Sequence, residues 1–393
     1  MNRQKVQLFA FGMMLGGVLL VGCSAPATPT PIPPTATPMP SATPLPPTAT
    51  PIPPTATLVP PTVTLYPTAT TPPTATPTPT PLAVKDMVQY RNPQKYRVEY
   101  VVTVKSAGFD TREVRAYQAR PIEWNSQKEI QIEEVSPAPT NSGTDPTYGN
   151  GIYYWSVSGA PKNGGTVPVK IQFTFTTYET ITRIDPAAVK PYNTADPQYQ
   201  LYTRPERYIE SDNPQIIEIA NQVAGTEKNP YLIARKFYDY VVDKASYQLL
   251  HKGLVGAMYL VTNGVGECGD YSSLFVALAR AKGIPARPIV GYWAISGTDR
   301  THVWSEFYVE PFGWIPADTN IGQMRPKQRE YYFGNMDNQR VILNKNFNLA
   351  LNPPAPNNFV APLLQVPLYW FWGTGDTKTM SLERTSWTVT NIQ

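Results

Sequence analysis

The chain contains few cysteines and histidines. Both residue types bind metal ions, and cysteine also forms disulfides. Its 393 residues include two cysteines, Cys23 and Cys268, and two histidines, His251 and His302. A structural zinc site needs four ligands, usually Cys and His, so a zinc or iron centre is not expected and no cofactor is implied. Cys268 is the single thiol of the folded body once Cys23 is assigned below. Such a thiol is either an inert buried residue or a reactive nucleophile.

A clustered basic surface is lacking as well. The chain has 33 basic and 29 acidic side chains, a formal net charge of +4, and no Lys or Arg run stands out. Because phosphate binding needs clustered positive charge, no nucleic-acid partner is expected. Hydrophobic residues make up 41% of the chain, which is a normal fraction for a globular protein with a buried core.

Charged residues are absent from a long segment near the N-terminus. From Ser24 to about Leu82 the sequence is a Pro/Thr/Ala tract without one charged side chain. Proline removes backbone hydrogen bonds from helices and sheets, so the tract favours extended polyproline II conformations rather than a repeat domain. Residues 23–83 are therefore predicted to be a disordered stalk. A linker without a spacing role is the alternative.

The first 22 residues have the pattern of an export signal. Arg3 and Lys5 precede an almost unbroken apolar stretch from Val6 to Val21. That stretch is short for a bilayer core of about 30 Å, which disfavours a membrane-spanning anchor. The following Leu20-Val21-Gly22-Cys23 resembles the bacterial lipobox. The resemblance implies a signal peptide at 1–22, lipidation of Cys23, and a folded body outside the cytoplasm, anchored to the cell membrane or the outer membrane.

Residues 84–204 are predicted to form an antiparallel β-sandwich. Apolar residues alternate with polar ones in segments 96–104, 128–133 and 167–175, as in half-buried strands, and turn residues separate these segments. The aromatic group Tyr153-Tyr154-Trp155 could line a ligand face, but aromatic residues in a strand are more often part of the core.

After Arg204 the hydrophobic period changes from two residues to 3.6. Asn213-Pro214 and Asn229-Pro230 each combine an N-cap residue with proline at the first helical position, which predicts two helix starts. The segment from Gly264 to Arg280 places Cys268 at the N-terminus of a third helix. The partial positive charge there favours a thiolate. Three strands are predicted after it: 286–294, 301–310 and 313–318.

The order of four motifs resembles the transglutaminase-like superfamily, a papain-related core. The motifs are Gly266 to Tyr271, Gly283 to Arg287, His302 to Trp304, and Gly313 to Asp318. The resemblance implies a triad of Cys268 as nucleophile, His302 as base and Asp318 as the group that orients the histidine. It also implies an α+β fold, with the antiparallel sandwich followed by a core of helices packed on an antiparallel sheet. Asp270, Arg287, Trp304 and Trp314 are expected to be framework around the site.

Five segments follow from these patterns. They are a signal peptide at 1–22, a stalk at 23–83, a sandwich at 84–204, a transglutaminase-like domain at 205–345 and a C-terminal extension at 346–393. The extension is expected to complete the catalytic domain with strands. Its aromatic run from Leu368 to Trp372 predicts a closing strand, with a partner-binding patch as the alternative.

The predicted function is acyl transfer from an amide through a thioester on Cys268. Water as the acceptor gives a protease or amidase, whereas an amine gives a crosslinking protein-glutamine γ-glutamyltransferase. Hydrolysis is preferred because water is always present, while crosslinking needs a second binding cleft. A non-catalytic surface-binding scaffold and a carbohydrate-binding module are the alternatives. The expected partners are a protein or peptide substrate, such as a cell-envelope peptide, and a membrane, and the expected oligomeric state is a monomer.

Overall fold

Residues 86–250, 252–296 and 301–392 are described by a computed structural model of the chain. The predicted signal peptide, the lipidation site Cys23 and the predicted stalk lie outside these residues, as does His251. The described residues belong to one compact unit. None of the helices within them is long and apolar enough to cross a membrane.

The strands and helices of this unit alternate along the chain. The strands are β1 (Val88–Ser106), β2 (Phe109–Arg120), β3 (Gln127–Ser136), β4 (Asn141–Thr144), β5 (Gly151–Ser158), β6 (Thr166–Thr182), β7 (Ser246–Tyr247), β8 (Val265–Gly266), β9 (Ala286–Trp293), β10 (Thr301–Val309), β11 (Gly313–Ala317), β12 (Arg340–Lys345), β13 (Leu349–Ala350), β14 (Val360–Ala361), β15 (Leu368–Gly375) and β16 (Met380–Asn391). The helices are α1 (Pro197–Thr203), α2 (Pro214–Ala224), α3 (Pro230–Lys244), α4 (Ala257–Asn263), α5 (Cys268–Ala281) and α6 (Thr319–Met324).

Two four-stranded antiparallel sheets form the predicted sandwich. One has the strand order β16-β1-β6-β3 and the other has the order β15-β2-β5-β4. Strand β1 turns alternate side chains into the core, because successive residues of a strand point to opposite faces. Val98, Tyr100 and Val102 are accordingly at most 3% exposed. Tyr117 and Trp370 of the other sheet belong to the same core.

The C-terminal strands complete the sandwich rather than the predicted catalytic domain. Strand β15 pairs with β2, with Leu368 opposite Tyr117, and β16 pairs with β1, with Trp387 opposite Tyr100. The expectation that residues 346–393 complete the catalytic domain was therefore wrong. Without these strands, β1 and β2 would each expose an unpaired edge of backbone N–H and C=O groups. The aromatic run at 368–372 is a strand, as predicted.

A third four-stranded sheet is antiparallel and has helices on one face. Its strand order is β11-β10-β9-β12. Helix α5 packs against β10 and β9, with the rings of Phe275 and Phe307 5.9 Å apart. Helices α2 and α3 begin at the predicted Asn-Pro pairs, where each Asn side chain accepts a backbone N–H two residues on. The opposite face of the sheet joins the sandwich core, where Tyr292 stacks on Trp387 at 4.2 Å. The predicted α+β fold is confirmed.

Candidate active site

Cys268 is the first residue of helix α5, at a tightly held turn. Oδ2 of Asp270 accepts the backbone N–H of Glu267 at 3.0 Å, and its Oδ1 accepts the N–H groups of Val255 and Gly256 at 3.0 and 2.9 Å. Asp270 thereby connects the start of α5 to the loop before α4, which agrees with its predicted framework role. A Cβ at position 266 would lie 2.9 Å from the Asp270 Cβ, so the turn requires glycine there.

His302 and Asp318 form a buried pair next to this turn. His302 lies on β10 and is 3% exposed, whereas Asp318 precedes α6 and is fully buried. The His302 Nε2 and the Asp318 Oδ2 are 2.7 Å apart. The other carboxylate oxygen, Oδ1, accepts the backbone N–H of Ile321 at 3.0 Å and caps α6. Two elements therefore fix the orientation of the carboxylate toward the imidazole.

Cys268 begins the helix that packs against the strand of His302. Helix α5, which starts at Cys268, contacts β10. Cys268 itself is partly buried. The structure thus pairs His302 with Asp318 and places Cys268 at the start of the helix that packs against the strand of His302, and the triad stays a prediction.

Two tryptophans hold the plane of the His302 ring. Trp293 stacks on it at 5.1 Å with an angle of 25°, and Trp304 stacks on it at 6.0 Å with an angle of 21°. Trp304 was expected to be framework, and it contacts the imidazole directly. Stacking on two rings restricts rotation of the imidazole, so Nε2 stays directed at Asp318.

Arg340 is a part of the site that no motif in the sequence marks. It lies at the start of β12, and its Nη1 donates to Oδ2 of Asp318 at 2.8 Å. Its Nη2 donates to Asp337 at 2.9 Å, and its guanidinium carbon lies 4.0 Å from the centre of the Trp293 ring. One signal could have pointed to it. An arginine that opens a buried apolar strand must have an anionic partner, because an unpaired buried charge is very costly.

Arg287 and Trp314 lie away from the triad on the same sheet. Two nitrogens of Arg287 donate to Oε2 of Glu306 at 2.9 and 2.7 Å. The guanidinium carbon lies 3.7 Å from the centre of the Trp314 ring. This buried ion pair covers the sheet and fits the framework role expected for both residues.

The electrostatics of the site oppose ionisation of the thiol by itself. Burial raises the pKa of Cys268 to about 12, helped by the carboxylates of Glu267, Asp318 and Asp270, while the Val303 N–H acts in the opposite direction. We expected the helix N-terminus to lower this pKa. The loss of hydration and the nearby negative charges act against that effect.

The charges of Asp318 and Arg340 are mutually stabilised. Burial acts to raise the pKa of Asp318, but the charges of His302 and Arg340 hold it well below its usual value. Burial likewise acts to lower the pKa of Arg340, and Asp337 and Asp318 raise it above the ordinary value. Asp318 and Arg340 are therefore ionised at neutral pH.

The part of the chain that contains α5 and β10 matches a known family. Residues 217–319 match the family model of the transglutaminase-like superfamily. This segment is similar to a transglutaminase-like core. The match confirms the resemblance carried by the four sequence motifs. It includes Cys268, His302 and Asp318 and ends before Arg340.

Two further comparisons, with one protein sequence and one solved structure, show how much of the chain is similar to known proteins. An uncharacterised protein of Haemophilus influenzae is 30% identical over 212 residues, which are 42% of this chain and 57% of that protein. This chain thus spans little more than half of that relative's length. The crystal structure of a candidate cysteine protease from Cytophaga hutchinsonii superposes with a TM-score of 0.52 at 17% identity, covering 78% of this chain and 93% of that one. At that identity the likeness shows a shared fold.

Proposed function

We propose that this chain is a cysteine enzyme that transfers an acyl group from an amide through a thioester on Cys268, mainly to water. The observation that supports it is the 2.7 Å contact of His302 Nε2 with Asp318, together with a cysteine at the N-terminus of the helix that packs against β10. Because this contact occupies Nε2, Nδ1 is the ring nitrogen left to exchange a proton with the thiol. The proposed roles are nucleophile for Cys268, acid and base for His302, and orienting group for Asp318.

In the proposed acylation step, a proton passes from Cys268 through His302 to the leaving amine. His302 Nδ1 takes the proton of Cys268, and the sulfur attacks the carbonyl carbon of the amide. The resulting oxyanion accepts the backbone N–H of Cys268, since N–H groups in the first helical turn have no acceptor within the helix. The C–N bond then breaks, and the imidazolium gives its proton to the leaving amine. A thioester and a neutral His302 remain.

Deacylation reverses these roles. His302 removes a proton from water, the resulting oxygen nucleophile attacks the thioester, and the C–S bond breaks. The sulfur recovers the proton and the carboxylic acid leaves. Asp318 holds Nε2–H in place and stabilises the imidazolium in both steps.

The raised thiol pKa makes this chemistry depend on His302. A thiolate alone would be a net negative charge among three carboxylates, so it is disfavoured. Proton transfer from Cys268 to His302 adds no net charge to the site, and the imidazolium gains the carboxylate of Asp318. The reactive species is therefore a thiolate–imidazolium pair rather than a free thiolate.

The acyl acceptor is tested by partition of the acyl-enzyme. The chain would be acylated with p-nitrophenyl acetate in the presence of a low millimolar primary amine, and acetate and acetamide products would be quantified. Acetate as the main product, absent with Cys268→Ala, supports hydrolysis. Predominant amide formation at low millimolar amine would instead favour the crosslinking alternative. Equal product with and without Cys268 would favour the scaffold.

Export and anchoring form a separate part of the proposal. The lipobox-like Leu20-Val21-Gly22-Cys23 supports a lipid on Cys23, and the charge-free tract behind it supports a stalk that holds the enzyme away from a membrane. A protein or peptide of the cell envelope is then the expected substrate class. Metabolic labelling with an alkynyl fatty acid tests the anchor. Label that persists in Cys23→Ala would contradict it.

A further inference from the structure

Asp318 shares one oxygen between two donors. Its Oδ2 lies 2.7 Å from Nε2 of His302 and 2.8 Å from Nη1 of Arg340. None of the three residues is more than 3% exposed. In such a buried setting, a cation on the same oxygen weakens the stabilisation that the carboxylate can give to an imidazolium. Arg340 alone would therefore oppose protonation of His302.

Asp337 lies on the other side of the same guanidinium. Arg340 donates to its carboxylate through Nε at 3.2 Å and through Nη2 at 2.9 Å. The backbone N–H of Gln339 and the hydroxyl of Tyr332 donate to Asp337 at 3.0 and 3.2 Å, which fixes its position. Asp337 thus offsets the charge of Arg340 from the side opposite Asp318.

The charges of these groups balance only when His302 is protonated. Asp318, Arg340 and Asp337 together carry one negative charge, and one imidazolium makes the cluster neutral. If Asp337 were uncharged, the same imidazolium would leave an uncompensated positive charge inside the protein, which is costly. The carboxylate of Asp337 therefore allows His302 to accept a proton even though Arg340 contacts Asp318.

We propose that Arg340 and Asp337 are positioning residues that set the protonation of His302. Arg340 fixes Asp318 in its ionised form against the imidazole, and Asp337 offsets Arg340 so that Asp318 still stabilises the imidazolium. The inference rests on the proposed function, in which His302 takes the proton of Cys268. Both residues follow the 217–319 match, so this part of the site is supplied by sequence outside the superfamily segment.

The groups that face His302 come from several elements. In the part of the chain that the structure describes, they are Cys268 from α5, Asp318 from the start of α6 and Arg340 from β12, with Asp337 behind Arg340. Trp293 and Trp304 flank the ring and carry no charge. Arg325 is a further cation, 5.7 Å from the centre of the Trp293 ring. It is exposed, so solvent screens it.

The test is the pKa of His302, measured in the full chain carrying Cys268→Ala. The chain has two histidines, so its imidazole NMR spectrum has two titrating signals, and His302→Gln assigns one of them. Asp337→Asn should lower the pKa of His302 by about one pH unit, since a negative charge is lost. The double variant Asp337→Asn/Arg340→Gln loses opposite charges. It should bring this pKa back to within about 0.3 of the parent.

Opposite outcomes overturn the proposal. It fails if Asp337→Asn leaves the pKa of His302 unchanged, or if the double variant lowers that pKa further. If Arg340 and Asp337 are merely structural, the double variant should be more perturbed than Asp337→Asn. The pKa of His302 should then not return to the parental value. Circular dichroism checks the fold of each variant. If the double variant does not fold, Asp337→Glu replaces it and must restore the parental pKa, or the proposal falls.

This readout is independent of turnover. Titration of His302 needs neither a substrate nor the thiol, so it can support the charge balance even if no acyl transfer is found. Conversely, full hydrolytic activity with an unshifted His302 in Asp337→Asn would overturn this inference and leave the proposed function intact.

Discussion

Replacement of His302 by alanine should make Cys268 nearly unreactive, rather than turn it into an ordinary thiol. In the proposed mechanism the thiol of the wild-type chain passes its proton to the imidazole of His302, whose Nε2 lies 2.7 Å from Asp318. In His302→Ala that acceptor is gone. The thiol would then have to ionise alone in a buried site, where burial and nearby carboxylates raise its pKa to about 12.

The expected size of the effect follows from that pKa. With a pKa of about 12, the thiolate fraction at neutral pH is roughly 10⁻⁵, whereas an unperturbed cysteine is a few per cent thiolate. Alkylation of His302→Ala should therefore be about 10³-fold slower than alkylation of a free cysteine at the same pH. The wild-type chain should react at least as fast as free cysteine, because its thiolate is paired with an imidazolium.

Iodoacetamide alkylation, followed by intact mass against pH, measures these rates. Cys23→Ser in the full chain leaves Cys268 as the single thiol, and His251→Ala, which removes the other histidine, is the matched control. The control should keep the wild-type pH profile. Equal rates for wild type and His302→Ala, each rising near pH 8.5 like an unperturbed thiol, would refute the reasoning.

Three other predictions concern Asp318 and a glycine of strand β9. Asp318→Asn should lower the turnover number for ester hydrolysis by about 10³ to 10⁴ with a small change in KM, and a loss below tenfold would contradict its role. Because its pKa in the folded state is depressed, Asp318 contributes stability above its unfolded pKa and loses it as pH falls. The wild-type Tm should thus fall more steeply below about pH 4 than that of Asp318→Asn, and parallel curves would argue against this. Gly291→Ala should lower the free energy of unfolding by about 3 kcal/mol in urea, since its Cβ would lie 2.0 Å from the Val341 carbonyl oxygen. Gly143→Ala, whose nearest atom is 3.5 Å away, is the control, and equal stability of the two variants would contradict the clash.

Local patterns predicted much of the fold. Alternation in 96–104 marked the centre of β1, and the Asn-Pro pairs marked the starts of α2 and α3. These features depend on residues a few positions apart, so the sequence shows them directly. The pairing of β15 and β16 with β2 and β1 could not be predicted in this way. It joins residues more than 250 positions apart, and nothing in the strands themselves specifies the partner.

The candidate site, like the fold, could be predicted from the sequence only in part. Motif order pointed to Cys268, His302 and Asp318. The structure pairs His302 with Asp318, and the role of Cys268 stays a prediction. Arg340 and Asp337 belong to no motif and follow Asp318 at a distance of about twenty residues, so only the folded chain shows that they bear on it. The pKa of Cys268 was also beyond local reasoning, because burial in the folded chain and the carboxylates near the thiol raise it.

The most direct test of the central claim is to trap the acyl-enzyme. The full chain would be mixed with p-nitrophenyl acetate, quenched in acid, and analysed by intact mass and peptide mapping. The account predicts one acetyl group, located on Cys268, removed by neutral hydroxylamine and absent from His302→Ala. An acetyl group on another residue, or a full burst of nitrophenolate from Cys268→Ala, would contradict it.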